Sequence, residues 1–238
     1  MVNPYLMHRR KAFRGGGETD PNWSNVNLLL SFEGANNSTT FTDSSAFSRT
    51  VNVVSTTPVI TTTTPLRGTS SGLFSGSGGN LSIPHFGLRN ESFTIEAFIR
   101  PDNVTGNKII YTSYGNSSAT QIGSFILFVQ GNKLSASRSG TNFLNSTTSL
   151  VANTTYYVAF TYNHSTGIWA IYIDGNLENS GTNGGLINSS AFANQIGGGL
   201  SSSNIDSWRF AGRIDDIRVT RGVVRAISGI PSDPYPTN

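Results

Sequence analysis

An all-β fold, a two-sheet antiparallel jelly-roll sandwich, is what this sequence predicts, and three observations predict it. Short apolar runs of strand length recur from Val26 to Val223, separated by turns rich in Gly, Asn, Asp and Ser. No helical 3.6-residue periodicity is sustained over the length of a helix. Charged residues make up only 12% of the chain while Ser, Thr, Asn and Gly are abundant, which suits strands whose outer faces carry hydroxyls rather than ions. At 238 residues the chain fits one large β domain with a single well-filled core.

The elements follow in order. Val26 to Phe32 is a continuous apolar run ending at Glu33-Gly34, and Thr39 to Thr42 and Thr50 to Val54 flank a turn at Asp43-Ser-Ser45. Gly72 to Phe74 and Asn80 to Pro84 flank a turn containing Gly76, Gly78 and Gly79. From Ser92 to Arg100, Phe93, Ile95, Ala97 and Ile99 alternate with Thr94, Glu96 and Phe98, which indicates a strand covered on both faces. Ile109 to Tyr114 and Ser124 to Val129 continue the series, and Lys133 to Arg138 pairs with the latter across Gly131-Asn132. Thr155 to Tyr162 and Ile168 to Ile173 form a hairpin across Asn163 to Gly167, and Asp174-Gly175 is a two-residue turn before Leu177. Gly197 to Gly199 lead into a Ser-rich loop carrying Trp208.

The last strand, Phe210 to Val223, carries the sharpest local signal. Phe210, Gly212 and Ile214 share one face, whereas Ile217 and Val219 fall on the other unless one residue is inserted between them. A β-bulge at Asp215/Asp216 returns both apolar sets to one core.

The ends read differently from the middle. Residues 1–21 combine His8-Arg-Arg-Lys-Ala-Phe-Arg14 with Gly15-Gly16-Gly17, a composition that cannot build a core and is expected to form an extended N-terminal arm. The domain is expected over 22–226, and 227–238, punctuated by Pro231, Pro234 and Pro236, as a tail extended over the surface. The formal charge of +3 belongs to the arm: without Arg9, Arg10, Lys11 and Arg14 the remaining twelve Lys/Arg face thirteen Asp/Glu. Nucleic acid is therefore not the expected partner. With no cysteine, disulfides, thiolate metal sites and a Cys nucleophile are excluded. No stretch approaches the roughly 20 apolar residues of a membrane span, and Met1 to Gly17 contains no apolar signal-peptide core. The Asn-x-Ser/Thr triplets, such as Asn145-Ser-Thr147, are then expected as a by-product of composition.

Several segments together resemble the laminin-G-like, concanavalin A-like lectin/glucanase superfamily, particularly its versions in bacteriophage virion proteins. They are Leu28-Leu-Leu-Ser-Phe-Glu-Gly34, Phe41-Thr-Asp-Ser-Ser45, Phe74-Ser-Gly-Ser-Gly-Gly-Asn-Leu-Ser-Ile-Pro84, Ser92-Phe-Thr-Ile-Glu-Ala-Phe-Ile-Arg-Pro101, Trp169-Ala-Ile-Tyr-Ile-Asp-Gly175 and Gly212-Arg-Ile-Asp-Asp-Ile-Arg-Val-Thr-Arg221. They occur in family order across about residues 26 to 225. The opening Met1-Val-Asn-Pro-Tyr5 also looks like the start of phage structural proteins. The resemblance implies a structural Ca²⁺ held between an early acidic turn, here Asp43, and the bulge, here Asp215 or Asp216, with Gly34 or Asn36 as backbone helpers. This chain departs from it at Glu33, where many relatives carry Asp, and at Ala46-Phe47, which replaces a glycine-rich continuation. Without an ion, Asp216 is expected to cap loop N–H groups and pair with Arg213 or Arg218.

Fold alone does not fix function in such a superfamily. Retaining glucanases need two carboxylates roughly 5 Å apart, in a Glu-x-Asp-x-Glu strand pattern that this chain lacks. Glu96 stands alone and is expected to make cross-strand hydrogen bonds. His8, His85 and His164 lie beside no nucleophile pattern. Sugar recognition would draw on Trp208, Tyr111, Tyr114 and Asn204, with Trp169 expected in the core instead. The arm offers Tyr5, Leu6, Met7 and Phe13 as apolar anchors among Arg9, Arg10, Lys11 and Arg14, which suits docking onto other virion proteins. The expectation is thus a non-enzymatic phage virion structural protein, a capsid decoration or tail appendage, made in the host cytoplasm and located in the virion. It is docked by its arm, free to bind host glycans, and suited to homo-oligomeric packing. A carbohydrate-active hydrolase and a secreted or cell-surface lectin are the alternatives.

Overall fold

The structure, a computed structural model, describes residues 19–55, 57–88, 90–113, 125–138, 141–182, 193–199, 208–231 and 235. Among them, fifteen strands form two antiparallel sheets, and the single helical element is a 3-10 turn at Trp23–Asn25. The eight-stranded sheet contains β1 (Val26–Leu30), β3 (Val59–Thr61), β4 (Ser71–Ser75), β6 (Phe93–Pro101), β11 (Tyr156–Asn163), β12 (Ile168–Ile173), β13 (Asn176–Thr182) and β15 (Ala211–Arg221). Its order is β13-β12-β11-β6-β15-β4-β3, with β1 also paired to β15. The seven-stranded sheet, ordered β10-β9-β8-β7-β14-β5-β2, contains β2 (Asn52–Val54), β5 (Asn80–Ile83), β7 (Asn107–Thr112), β8 (Phe125–Gln130), β9 (Lys133–Arg138), β10 (Thr141–Ser149) and β14 (Asn194–Ile196).

Alternation along each strand fills the space between the sheets. Phe93, Ile95, Ala97 and Ile99 of β6 join Phe125, Leu127 and Val129 of β8 in one buried cluster. Phe93 stacks on Phe125 at 5.0 Å between ring centroids, and Trp169 stacks on Phe160 at 5.5 Å. Each large side chain buried in this way contributes about 1.5–3 kcal/mol. Trp169 lies in this core, as its place in an alternating strand requires.

The other face of the eight-stranded sheet is also covered. Phe98, Tyr157 and Ala159 form a second cluster with Val26, Leu29 and Tyr235, and Trp23, Leu66, Tyr172 and Ile227 pack against it. This explains why β6 is buried on both faces. Asp20 and Tyr235 lie beyond the expected domain limits in the arm and tail, yet both are buried against the sandwich. Tyr235 of the tail is seated beside the sheet.

The expected bulge is present. The register of β15 against β6 shifts between Asp215 and Arg218, and Asp216 adopts a left-handed φ of 43°. Ile214, Ile217 and Val219 all reach the main core as a result. The bulge also marks a change of neighbour: Ala211 to Ile214 pair with β4, whereas Ile217 to Thr220 pair with β1.

Two local expectations change. Residues 39–42 form no strand; Phe41 instead drops into the core against Phe32, 5.7 Å between centroids. Strands β3, β10 and β14 escape a hydrophobic reading because they are short or polar, and their sheet neighbours supply the order.

Candidate functional site

The outer face of the eight-stranded sheet carries a cavity of about 370 Å³, with Glu96, Tyr157, Arg218 and Arg225 among its lining and the segment from Val224 to Pro231 as a wall. Strand register brings its floor together. Arg218 of β15 lies opposite Glu96 of β6. Tyr157 of β11 sits opposite Phe98, two residues along β6 from Glu96 and on the same face. Arg218 donates from Nε and Nη2 to the two oxygens of Glu96, both at 2.9 Å, and the Tyr157 hydroxyl donates to Glu96 Oε1 at 2.6 Å.

Residues from the segments before β1 and after β15 complete the network. Asp20 accepts from Arg225 Nη1 and Nη2 at 3.0 and 2.6 Å, from Arg218 Nη1 at 3.4 Å and from the Asn22 amide at 2.9 Å. Arg225 is positioned by its amide on Thr94 Oγ1 and its Nε on Thr220 Oγ1. The Tyr235 ring covers the Arg218 guanidinium at 3.9 Å, a cation–π contact in a water-poor setting.

Electrostatics follow from this pairing. Burial opposes ionisation of Asp20, but the hydrogen bonds from Arg225 and Asn22 and the charges of Arg225 and Arg218 outweigh it, so its carboxyl titrates below the usual range. Burial, then the Glu96 charge, pushes the Tyr157 hydroxyl well above its ordinary value. Burial pulls on Arg218 in the opposite sense to Glu96, and Glu96 prevails, so the guanidinium stays firmly charged. Both carboxylates are thus bound by arginine N–H groups, Glu96 by Arg218 and Asp20 by Arg225 and Arg218, an arrangement for holding rather than for proton transfer. Glu96 makes the cross-strand hydrogen bonds expected of it. Asp20, Tyr157, Arg218 and Arg225 were not expected here; the signal available was the Glu96/Arg218 pair of opposite charges on strands of matched pattern.

The bulge forms a separate polar cluster. Asp215 accepts from Ser71 Oγ at 2.6 Å, from the Arg67 amide at 3.1 Å and from the Asp216 amide at 2.9 Å. Burial, helped by the Asp216 charge, raises its carboxyl to about 8 against the pull of the Ser71 hydrogen bond. Asp216 pairs with Arg67 Nε at 3.0 Å, so Arg67 takes the place expected for Arg213 or Arg218. Arg67 comes from the loop between β3 and β4, which is why spacing along β15 did not reveal it.

Asp43 lies in its own staple. Its oxygens accept from the amides of Leu29, Ser45 and Arg49 at 2.9, 3.0 and 2.8 Å and from the Ser45 hydroxyl at 2.9 Å. Asp43 thus accepts four hydrogen bonds within its own turn and Asp215 three at the bulge, while Asp216 pairs with Arg67. Among the described residues no group of three or more His, Cys, Asp or Glu could hold a metal.

The expected sugar-stacking residues divide. Tyr111 is wholly buried, donates its hydroxyl to Asn194 Oδ1 at 2.9 Å and stacks near Phe125; it offers no face to a ligand, because it lies in the strand core rather than at a loop end. Trp208 is half-buried, with its ring stacked on Phe128 at 5.5 Å on the other side of the seven-stranded sheet from the core. Tyr114 and Asn204 lie outside the described residues, as do Tyr5, Arg9, Arg10, Lys11, Phe13 and Arg14 of the arm.

Residues 75–226 match the Laminin_G_3 family, the concanavalin A-like lectin/glucanases superfamily. The chain belongs to this superfamily. No curated protein matches it in sequence. The lectin-like sandwich is similar to the botulinum neurotoxin serotype D binding domain, at 16% identity and a TM-score of 0.62 over 88% of this chain and 51% of that one. It is similar as well to the botulinum neurotoxin type G receptor binding domain, at 19% identity and a TM-score of 0.58, covering 86% and 49%. Domain 4 of AbnA, a GH43 extracellular arabinanase from Geobacillus stearothermophilus, solved with arabinotriose, matches at 15% identity and a TM-score of 0.59 over 85% and 95%. The chain spans about half the length of the toxin binding domains it matches. These likenesses establish the lectin-like fold.

Proposed function

We propose that this superfamily member is a non-catalytic carbohydrate-binding domain. The observation that carries the reading is the pairing of both acidic side chains of the outer-face network: Glu96 and Asp20 are each held by arginines, so neither is available as an acid, base or nucleophile. The likeness to an arabinanase domain solved with arabinotriose, and to toxin binding domains, supports recognition over cleavage. A glycan array probed with the folded chain is expected to show binding, and incubation with the bound glycans is expected to release no reducing ends. Absence of binding to any glycan, or steady release of products, would defeat the reading.

The wider setting we infer is a phage particle, with the domain displayed and the basic arm docked on a neighbouring virion protein. The support is the resemblance to virion versions of the domain and the apolar anchors Tyr5, Leu6, Met7 and Phe13 among the arm charges. Deletion of Met1 to Gly17 is expected to abolish incorporation into particles while leaving the melting temperature of the domain unchanged. Normal incorporation of the truncated chain would count against docking.

A further inference from the structure

We propose that the cavity between the eight-stranded sheet and the C-terminal segment is the sugar site, and that its ligand is an uncharged sugar ring held by N–H groups of Arg218 and Arg225. This rests on the carbohydrate-binding reading and gives it a place and a ligand class.

The donor and acceptor inventory points to that class. A guanidinium carries five N–H groups. Arg218 places three in bonds, two on Glu96 and one on Asp20, and Arg225 places three, two on Asp20 and one on Thr220. The carboxylates have far less capacity left. Asp20 already accepts four hydrogen bonds, and Glu96 accepts three with Arg225 Nε a further 3.7 Å away. What the floor retains is mainly N–H donors, so the ligand must bring acceptor oxygens.

Charge removes the anionic alternatives. Asp20, Glu96, Arg218 and Arg225 balance, so an incoming carboxylate or phosphate would lose its hydration and add a third negative charge to a network whose two cations are already matched by two carboxylates. A cation would find the carboxylate lone pairs already occupied. A sugar hydroxyl accepts an N–H without carrying charge. Its ring also presents C–H surface, and the wall supplies apolar partners in Val224, 36% exposed, and Ile230, 59% exposed. A volume of about 370 Å³ lies at the lower end of the range for small-molecule sites, enough for one or two sugar rings.

Gly229 supplies the means of testing the site without touching the ion pairs. It lines the cavity, and a Cβ added there meets no atom within 4 Å, so a larger side chain is accommodated at this wall position at little cost to the fold. The full chain and Gly229→Leu are to be compared on an array of neutral and sialylated or uronate-bearing glycans, with Ala226→Trp, at an exposed wall position, as a second plug. The expected result is binding to neutral glycans by the parent chain, a loss of at least tenfold in both plugged variants, and melting temperatures close to that of the parent. Binding that survives both plugs in folded protein would overturn the location and leave the lectin reading standing. Binding confined to acidic glycans, lost on plugging, would overturn the ligand class alone. No binding by the parent chain would overturn both readings together.

Discussion

Arg218 reaches across from β15 to grip both oxygens of Glu96 on β6 at 2.9 Å, with both side chains nearly excluded from water. Two ions this deep are costly to separate, because removing one leaves the other without solvent or partner. Glu96→Ala is expected to destabilise the domain by about 3–5 kcal/mol in urea denaturation. Glu96→Leu combined with Arg218→Met is expected to recover most of that loss, since it removes both charges and keeps the volume. A double variant as unstable as the single one would show that the pair is not what holds these strands in register.

Asp215 gives the stability a pH dependence of definite sign. Its folded pKa of about 8 lies above the ordinary 3.8, so the folded state binds more protons between those values. Its contribution is fully present below about 3.8 and is lost as pH rises through 8. The melting temperature is expected to fall between pH 5 and pH 8, and the fall should be smaller in Asp215→Asn. An unchanged slope in that variant would assign the dependence to other groups.

Asp43 organises the turn after β1 by accepting from three amides and a hydroxyl. Asp43→Ala leaves buried N–H groups without acceptors, at about 1–3 kcal/mol for each that water cannot reach. We expect a clear drop in stability for this variant. Because its oxygens are already saturated, addition of EDTA to the parent chain is expected to leave the melting temperature unchanged. A drop on chelation, reversed by Ca²⁺, would restore the ion implied by the family resemblance.

Tyr235 packs its ring on Arg218 while its hydroxyl is buried and makes no hydrogen bond among the described residues. Tyr235→Phe removes the unsatisfied group and keeps the ring, so it should be neutral or stabilising by up to about 1 kcal/mol. Tyr235→Ala is expected to destabilise, because it uncovers Arg218. Thermal denaturation of the two variants should shift in opposite directions or show the Phe variant unchanged; equal losses would mean that the hydroxyl has a stabilising contact.

The sandwich, most of its strands and the bulge are legible in the order of the residues alone. Each of these rests on local rules: alternation with a period of two, turn residues between runs, and the displacement of Ile217 and Val219 from the face of Ile214. That order also marked Glu96 as a strand-face residue with no catalytic partner beside it. Tertiary structure decided what these residues meet. Arg67 reaches the bulge from the β3–β4 loop, where the partner of β15 changes from β4 to β1, and Tyr111 is lost to the core because its side chain packs between the sheets. Asp20 and Arg225 stand more than two hundred positions apart and meet because the segments just before β1 and just after β15 fold onto one sheet face. The site is assembled from contacts of long sequence separation, and no local pattern of side chains encodes which distant charge will arrive.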